Sequence, residues 1–297
     1  MDLDSFATEL YVAVDDWWCG AHGADPPRPG RPARLSASEV RTLALLAQWP
    51  RWRSERDVWR LARAHLRPLF PALCTQAQFN RRVRALEPEM RALQAHLAAG
   101  VWGGDGEVYR VLDTSLVPAL RRVRACRHGL FAGQAAFGWS ASHTDGVYGF
   151  KLGLAVSRRG VVTRFGLAPA TCPERPVADA LLAADRFATY LADKGIAAAD
   201  WEAHWRAAYG ALVVAAPVRN HRRAWSEDAY RWAAGKRQVV EQVIAQLKDL
   251  FALERHRAKT LGGLLARVAA KIAAFTAGEW LNAQHGRPLR HLADLLV

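Results

Sequence analysis

Three carboxylates stand where the local sequence changes character. Asp113 ends the β-prone run YRVLD, Asp193 ends ATYLAD just before Lys194 and Gly195, and Glu241 lies within the amphipathic stretch RQVVEQVIAQLK. Hard carboxylate oxygens drawn from separate elements are what a pair of divalent cations about 4 Å apart requires. Ions held that way activate water or a 3′-hydroxyl on one side of a phosphorus and stabilise the leaving oxygen on the other. Arg237 and Lys248 lie four residues before and seven after Glu241. At about 100° per residue all three share a narrow helical sector, where cations can hold a phosphate backbone. Singly, each acid has a plainer reading: Asp113 caps a turn with Thr114 and Ser115, Asp193 serves the tight DKG turn, and Glu241 pairs with Arg237. Together, at these stations of a basic chain, they favour the metal pair.

Such a site needs a rigid frame, and the chain from residue 105 onwards supplies strand and helix signals in alternation. Tyr109, Val111 and Leu112 suit a buried strand, whereas Thr114, Ser115 and Pro118 suit an exit loop, so Asp113 is expected at a strand end. VYGFKLGLAVS and VVTRFGLAPA read as two strands joined through SRRG into a hairpin. PVADALLAADRF reads as a helix, ATYLAD and GALVVAAPVR as strands, and KRQVVEQVIAQLKDLF as a helix with an apolar stripe of Val240, Val243, Ile244, Leu247 and Phe251. Side chains at adjacent strand ends converge on one rim, which brings Asp113 and Asp193 within reach of each other.

Ahead of the Gly-rich break VWGGDGE the pattern is helical. Leu3, Phe6, Leu10 and Val14 fall at helical spacing, after which GAHGADPPRPGRPAR breaks regular structure. Ser36 and Glu39 form a capping box that starts a helix running to about Gln48. Further helices are expected over residues 55–66, 75–86 and 89–98, punctuated by Pro50, Pro68, Pro71 and Pro88. In TQAQFNRRVRAL, Phe79, Val83 and Leu86 can face a core while Arg81, Arg82 and Arg84 point outward, either to DNA phosphates or to solvent. The expected organisation is therefore a helical DNA-binding region over 1–104 and an α/β catalytic domain with a helical C-terminal extension over 105–297.

Composition agrees with a polyanionic partner. The 297 residues carry 41 Lys and Arg against 28 Asp and Glu, a net +13, and 51% hydrophobic residues suffice for a sizeable core. Cys19, Cys74, Cys126 and Cys172 form no CxxC pair and read as reduced thiols. The acidic start MDLDSFATEL and the lack of a long uninterrupted apolar run give a cytoplasmic expectation with no membrane partner. No Gly-rich phosphate loop, nucleophile elbow or HExxH string is present, and His143, His221 and His256 lack metal-ligand spacing with any Cys, which reads as polar surface or phosphate contact.

On these residues the sequence resembles bacterial insertion-sequence transposases of the DDE superfamily. YRVLDTS resembles the first-Asp strand of that family, YGFKLGLAVSRRGVVTRFGLAPA its hairpin, LADKG its second-Asp turn, and Arg237, Glu241 and Lys248 its Arg-x3-Glu-x6-Lys helix. RHRAKT and the long apolar helix after it are similar to the C-terminal part of such enzymes. The resemblance implies an RNase H-like mixed sheet with flanking helices, preceded by the all-α N-terminal region. It implies that Asp113, Asp193 and Glu241 are catalytic metal ligands for two Mg²⁺ or Mn²⁺ ions. It implies cleavage at the terminal inverted repeats of an element, then joining of the freed 3′-hydroxyls to target DNA. Two departures stand out: Ala234 occupies the place where many relatives carry Tyr, with Tyr230 four residues earlier, and Ile196 follows the DKG turn where an aromatic is usual.

The remaining expectations concern DNA. Lys151, in the middle of FKLGL, faces the rim or solvent, and Arg219, Arg222, Arg223, Arg255, Arg257 and Lys259 flank the Glu241 helix in sequence as a backbone-binding groove would. Pairing two DNA ends implies a homodimer in the DNA complex. Two alternatives stay open: an RNase H-like DNA nuclease that cleaves without joining, and a transposase-derived DNA-binding protein that has lost catalysis.

Overall fold

A computed structural model of the chain describes residues 1–23, 33–49, 52, 54–102, 106–120, 122–125, 129–140, 145–217 and 225–296. Arg219, Arg222, Arg223, His143, His221 and Cys126 lie outside the described residues. The backbone forms two compact units: Met1–Val101 with Asp249–Ala258 and Gly262–Val297, and Trp102–Lys248 with Lys259–Leu261.

The first unit opens with α1 (Leu3–His22), α2 (Ala37–Leu46), α3 (Glu55–Ala64), α4 (Gln76–Val83) and α5 (Glu87–Trp102). Local chemistry sets their starts. Ser36 accepts from the amide of Glu39 while Glu39 reaches back to the amide of Ser36, and Thr75 and Gln78 repeat the arrangement before α4. Each cap is worth about 1 kcal/mol. Pro88 does not delay α5; it sits in the first turn, where its missing N–H has no helical partner to lose. Arg82 is not directed outward as the sequence suggests, because its guanidinium donates to the carbonyls of Leu35 and Ser36. Arg81 remains exposed.

The second unit is a mixed sheet of β1 (Arg110–Leu120), β2 (Ala136–Ser140), β3 (Asp145–Ser157), β4 (Val162–Pro169), β5 (Thr189–Ala192) and β6 (Leu212–Ala215). A short α6 (Arg122–Ala125) follows β1, α7 (Glu174–Asp185) follows β4, α8 (Ala199–Tyr209) follows β5, and α9 (Glu227–Asp249) follows β6. The order is β2-β3-β1-β5-β6, with β4 also on β3. β1 to β4 pair antiparallel, and β1, β5 and β6 run parallel. This is the RNase H-like mixed sheet with flanking helices. Leu112, Ala155, Leu181, Leu182, Tyr190, Ile196, Trp205 and Val213 form the core between the sheet and the helices α7 and α8. Ile196 thus serves packing. β2 and α8 carry too little apolar periodicity to stand out in the sequence; among the buried residues α8 contributes only Trp205.

β1 is longer than expected. It continues through Thr114, Ser115 and Pro118, and its pairing with β3 slips between Pro118 and Leu120. Proline lacks the N–H a ladder needs, and a bulge absorbs that loss. Gly149 lies opposite, and a Cβ there would come within 2.2 Å of the Val117 carbonyl oxygen. Since the obstacle is backbone, Gly149→Ala is expected to destabilise the chain by about 1–3 kcal/mol in urea unfolding; an unchanged midpoint would show that the bulge relaxes freely.

The first unit is completed by α10 (Leu261–Gln284), which follows a short 3₁₀ turn at Leu253–Arg255. Thr276 of α10 receives a hydrogen bond from Gln94, Arg267 pairs with Glu55, His285 pairs with Glu9, and Gly278 lets Trp49 approach closely. By length and composition α10 could cross a membrane, but 78% of its most apolar window is buried inside the protein, as befits a core helix.

Candidate functional site

The site starts at a mismatch between two ladders. On its β5 side β1 is paired only at Arg110 and Val111, whereas on its β3 side it is paired through Leu120. Asp113 therefore stands just past the end of the parallel ladder while the backbone beneath it is still held by Leu154 of β3. The sequence suggests a strand end for this residue; it is mid-strand, and only the neighbouring strand has ended. Asp193 directly follows β5 and opens a turn closed by bonds from Ile196 N to Asp193 O and Ala197 N to Lys194 O. The two acids thus emerge from adjacent parallel strands at the same rim.

Side-chain alternation assigns the faces. Leu112 and Thr114 point toward α7, and Asp113 points to the opposite face. There Arg237 of α9 joins the acids: its Nη1 donates to Asp193 Oδ1 at 3.0 Å, and its Nη2 lies 4.0 Å from Asp113 Oδ2. The second distance is an ion pair and not a hydrogen bond. Asp113 Oδ1 accepts from the Thr114 amide at 2.7 Å. Burial nonetheless pushes the Asp113 carboxyl up to about 6, against the lowering effects of that amide and of Arg237, with Asp193 and Glu174 adding to the rise. A half-buried, desolvated carboxylate that one guanidinium 4.0 Å away does not fully compensate suits a stronger cation.

Arg237 thus reads in this structure as the counter-ion of two carboxylates, and the rest of its string is distributed along α9. Val240, Val243 and Leu247 are fully buried, Glu241 is exposed, and Lys248 is half-buried. Among the described residues no three of His, Cys, Asp and Glu stand close enough to hold one ion together. The structure therefore brings Asp113, Asp193 and Arg237 together and leaves Glu241 outside their contacts. The donor chemistry of the first two fits a divalent cation, with the guanidinium marking where positive charge is accepted.

The other residues singled out by sequence are distributed as follows. Lys151 is half-buried and its Nζ donates to the Cys172 carbonyl at 2.6 Å. Arg255, Arg257 and Lys259 are exposed. His256 is not surface; it is buried and its Nδ1 accepts from the Ala258 amide. Tyr230, one turn before Ala234, donates its hydroxyl to the Pro217 carbonyl. Sequence reasoning missed Glu174, the first residue of α7, whose Oε1 accepts from the Thr114 hydroxyl at 3.1 Å. A glutamate opening a helix is too common to attract notice.

With this geometry in place, the family comparison is decisive: residues 121–276 match the family described as Transposase DDE domain, more than half of the chain. The chain belongs to that family. It is a transposase, of the insertion-sequence DDE type, and the family implies DNA as partner and divalent metal as cofactor class. The matched span contains Asp193, Arg237, Glu241 and Lys248 and begins after Asp113. No curated protein and no solved structure matches the chain.

Proposed function

We propose that this transposase binds the terminal inverted repeats of an insertion element, cuts phosphodiester bonds there and joins the 3′-hydroxyl ends to target DNA. The observation that carries the reading is the pair Asp113 and Asp193, presented by adjacent parallel strands and sharing one guanidinium. Bound Mg²⁺ or Mn²⁺, as two ions, would supply activation of the attacking oxygen and stabilisation of the leaving one. Asp113 and Asp193 hold that charge from the rigid rim, and Glu241, one turn beyond Arg237, is the third ligand. Arg237, beside those carboxylates, would hold a DNA phosphate near the bound charge, and Lys248 would serve the same backbone. Lys151, Arg219, Arg222, Arg223, Arg255, Arg257 and Lys259 add sequence-independent affinity, the helices of residues 1–104 provide end recognition, and a homodimer pairs two ends.

The test is a labelled element-end duplex with Mg²⁺ and a target plasmid. Cleavage together with strand joining supports the proposal, cleavage alone reduces it to a nuclease, and binding without either leaves a DNA-binding protein. Glu241→Gln is expected to lower both steps on the order of a hundredfold or more, since even partners of metal ligands cost 10–100-fold. Unchanged turnover in that variant removes Glu241 from the site.

A further inference from the structure

Glu174 has two carboxylate oxygens, and each meets a different segment of the site. Oε1 accepts from the hydroxyl of Thr114, next to Asp113 on β1. Oε2 lies 2.4 Å from where a Cβ on Gly195 would stand, in the turn opened by Asp193. Arg175, the next residue of α7, donates to the Ala197 carbonyl of the same turn at 3.2 Å. A glutamate present only to suit the helix N-terminus would need neither contact. Gly195 does not have a positive φ, so its lack of a side chain answers to space and not to backbone conformation.

We infer that Glu174 is a positioning residue: together with Arg175 it braces the Asp113 strand against the Asp193 turn and so fixes the spacing of the two acids, with Gly195 kept bare to admit it. The inference rests on the metal-binding reading of Asp113 and Asp193. Both Glu174 oxygens are directed at scaffold, on the face of β1 opposite Asp113, so it acts through its neighbours and not as a ligand. Its hydrogen-bond acceptor matters more than its charge, because the Thr114 hydroxyl needs only an oxygen.

The experiment uses the full chain with Mn²⁺ as the probe, titrated in the absence of DNA, for wild type, Asp113→Asn, Glu174→Ala, Glu174→Gln, Gly195→Ala and the double variant Glu174→Ala with Gly195→Ala. Glu174→Ala is expected to weaken Mn²⁺ binding about 10–100-fold, the range for groups that orient metal ligands, while Glu174→Gln stays within a few-fold of wild type. Thermal midpoints of the metal-free proteins supply a second readout. Gly195→Ala lowers the midpoint when Glu174 is present, because the new methyl drives the carboxylate off Thr114, and does not lower it further in the Glu174→Ala background. Wild-type Mn²⁺ affinity in Glu174→Ala, equal loss in Gln and Ala variants, or additive midpoints would each overturn the brace. If Asp113→Asn binds Mn²⁺ as wild type does, the metal reading itself fails and takes the brace's purpose with it; if only Asp113→Asn loses binding, the brace alone is wrong.

Discussion

Asp113→Asn is expected to raise the unfolding midpoint of the metal-free protein at pH 8 while removing metal-dependent cleavage. Burial lifts this carboxyl from an ordinary 3.8 to about 6, so the folded chain holds its proton more tightly than the unfolded chain does. The stability associated with that proton is complete below about pH 3.8 and is lost as pH climbs through about 6. At pH 8 the ionised, half-buried group therefore costs up to about 3 kcal/mol relative to an unperturbed one, at ~1.4 kcal/mol for each tenfold change in proton affinity. Asparagine keeps the shape and an amide oxygen for the Thr114 N–H and cannot ionise. In chelator its midpoint should exceed wild type by several degrees at pH 8, with the two curves merging near pH 4. A lower midpoint at pH 8 would mean that the Arg237 ion pair outweighs desolvation. In Mg²⁺ the same variant should lose on the order of 10²-fold or more in cleavage, since the charge that burial penalises is the charge an ion requires.

The largest loss of stability should come from Arg110→Ala, at the opposite end of β1. Arg110 Nη1 pairs with Asp185 at 2.6 Å and Nη2 with Glu107 at 3.1 Å, with all three side chains under 10% exposed. Its guanidinium also lies 4.3 Å from the Phe187 ring centroid. Asp185 additionally accepts from Tyr190 and Thr163, and together burial and Asp185 push the Tyr190 phenol well up. Removing Arg110 strands the buried Glu107 and leaves Asp185 with only the partly exposed Arg164, 4.0 Å away, a change that costs about 3–5 kcal/mol. Urea unfolding of Arg110→Ala measures it. Combining Arg110→Met with Glu107→Gln and Asp185→Asn should restore most of the loss, because the cost arises from unpaired charge more than from missing attraction. A loss under about 1 kcal/mol in Arg110→Ala would show that water reaches the cluster.

Where a signal is local, the sequence is a sufficient guide. Ser36 with Glu39 and Thr75 with Gln78 start their helices as side-chain chemistry demands, and SRRG turns the β3–β4 hairpin. The end of β1 is not legible because Pro118 usually terminates a strand, and the licence for it here is Gly149, thirty-one residues further on. Arg82 resembles a DNA contact in sequence because its partners, the carbonyls of Leu35 and Ser36, are backbone groups that no residue pattern reveals. That Asp113 and Asp193 share one rim is legible in sequence, yet their common counter-ion, Arg237, reads in sequence as a phosphate ligand and only the geometry sets it between them. Glu174 escapes altogether, since its partner Thr114 is sixty residues away.

The helical unit draws on both ends of the chain, and this sets an order of events during synthesis. Thr276, Arg267 and His285 meet Gln94, Glu55 and Glu9 across 182, 212 and 276 residues. Those contacts cannot form until nearly all of the polypeptide has left the ribosome, whereas the strands and helices between them are available earlier. Until then the N-terminal helices lack those partners, so a fragment ending near residue 104 is missing contacts that the whole helical unit has. Nonsense or frameshift lesions late in the reading frame would therefore remove contacts of the first helices as well as the last one.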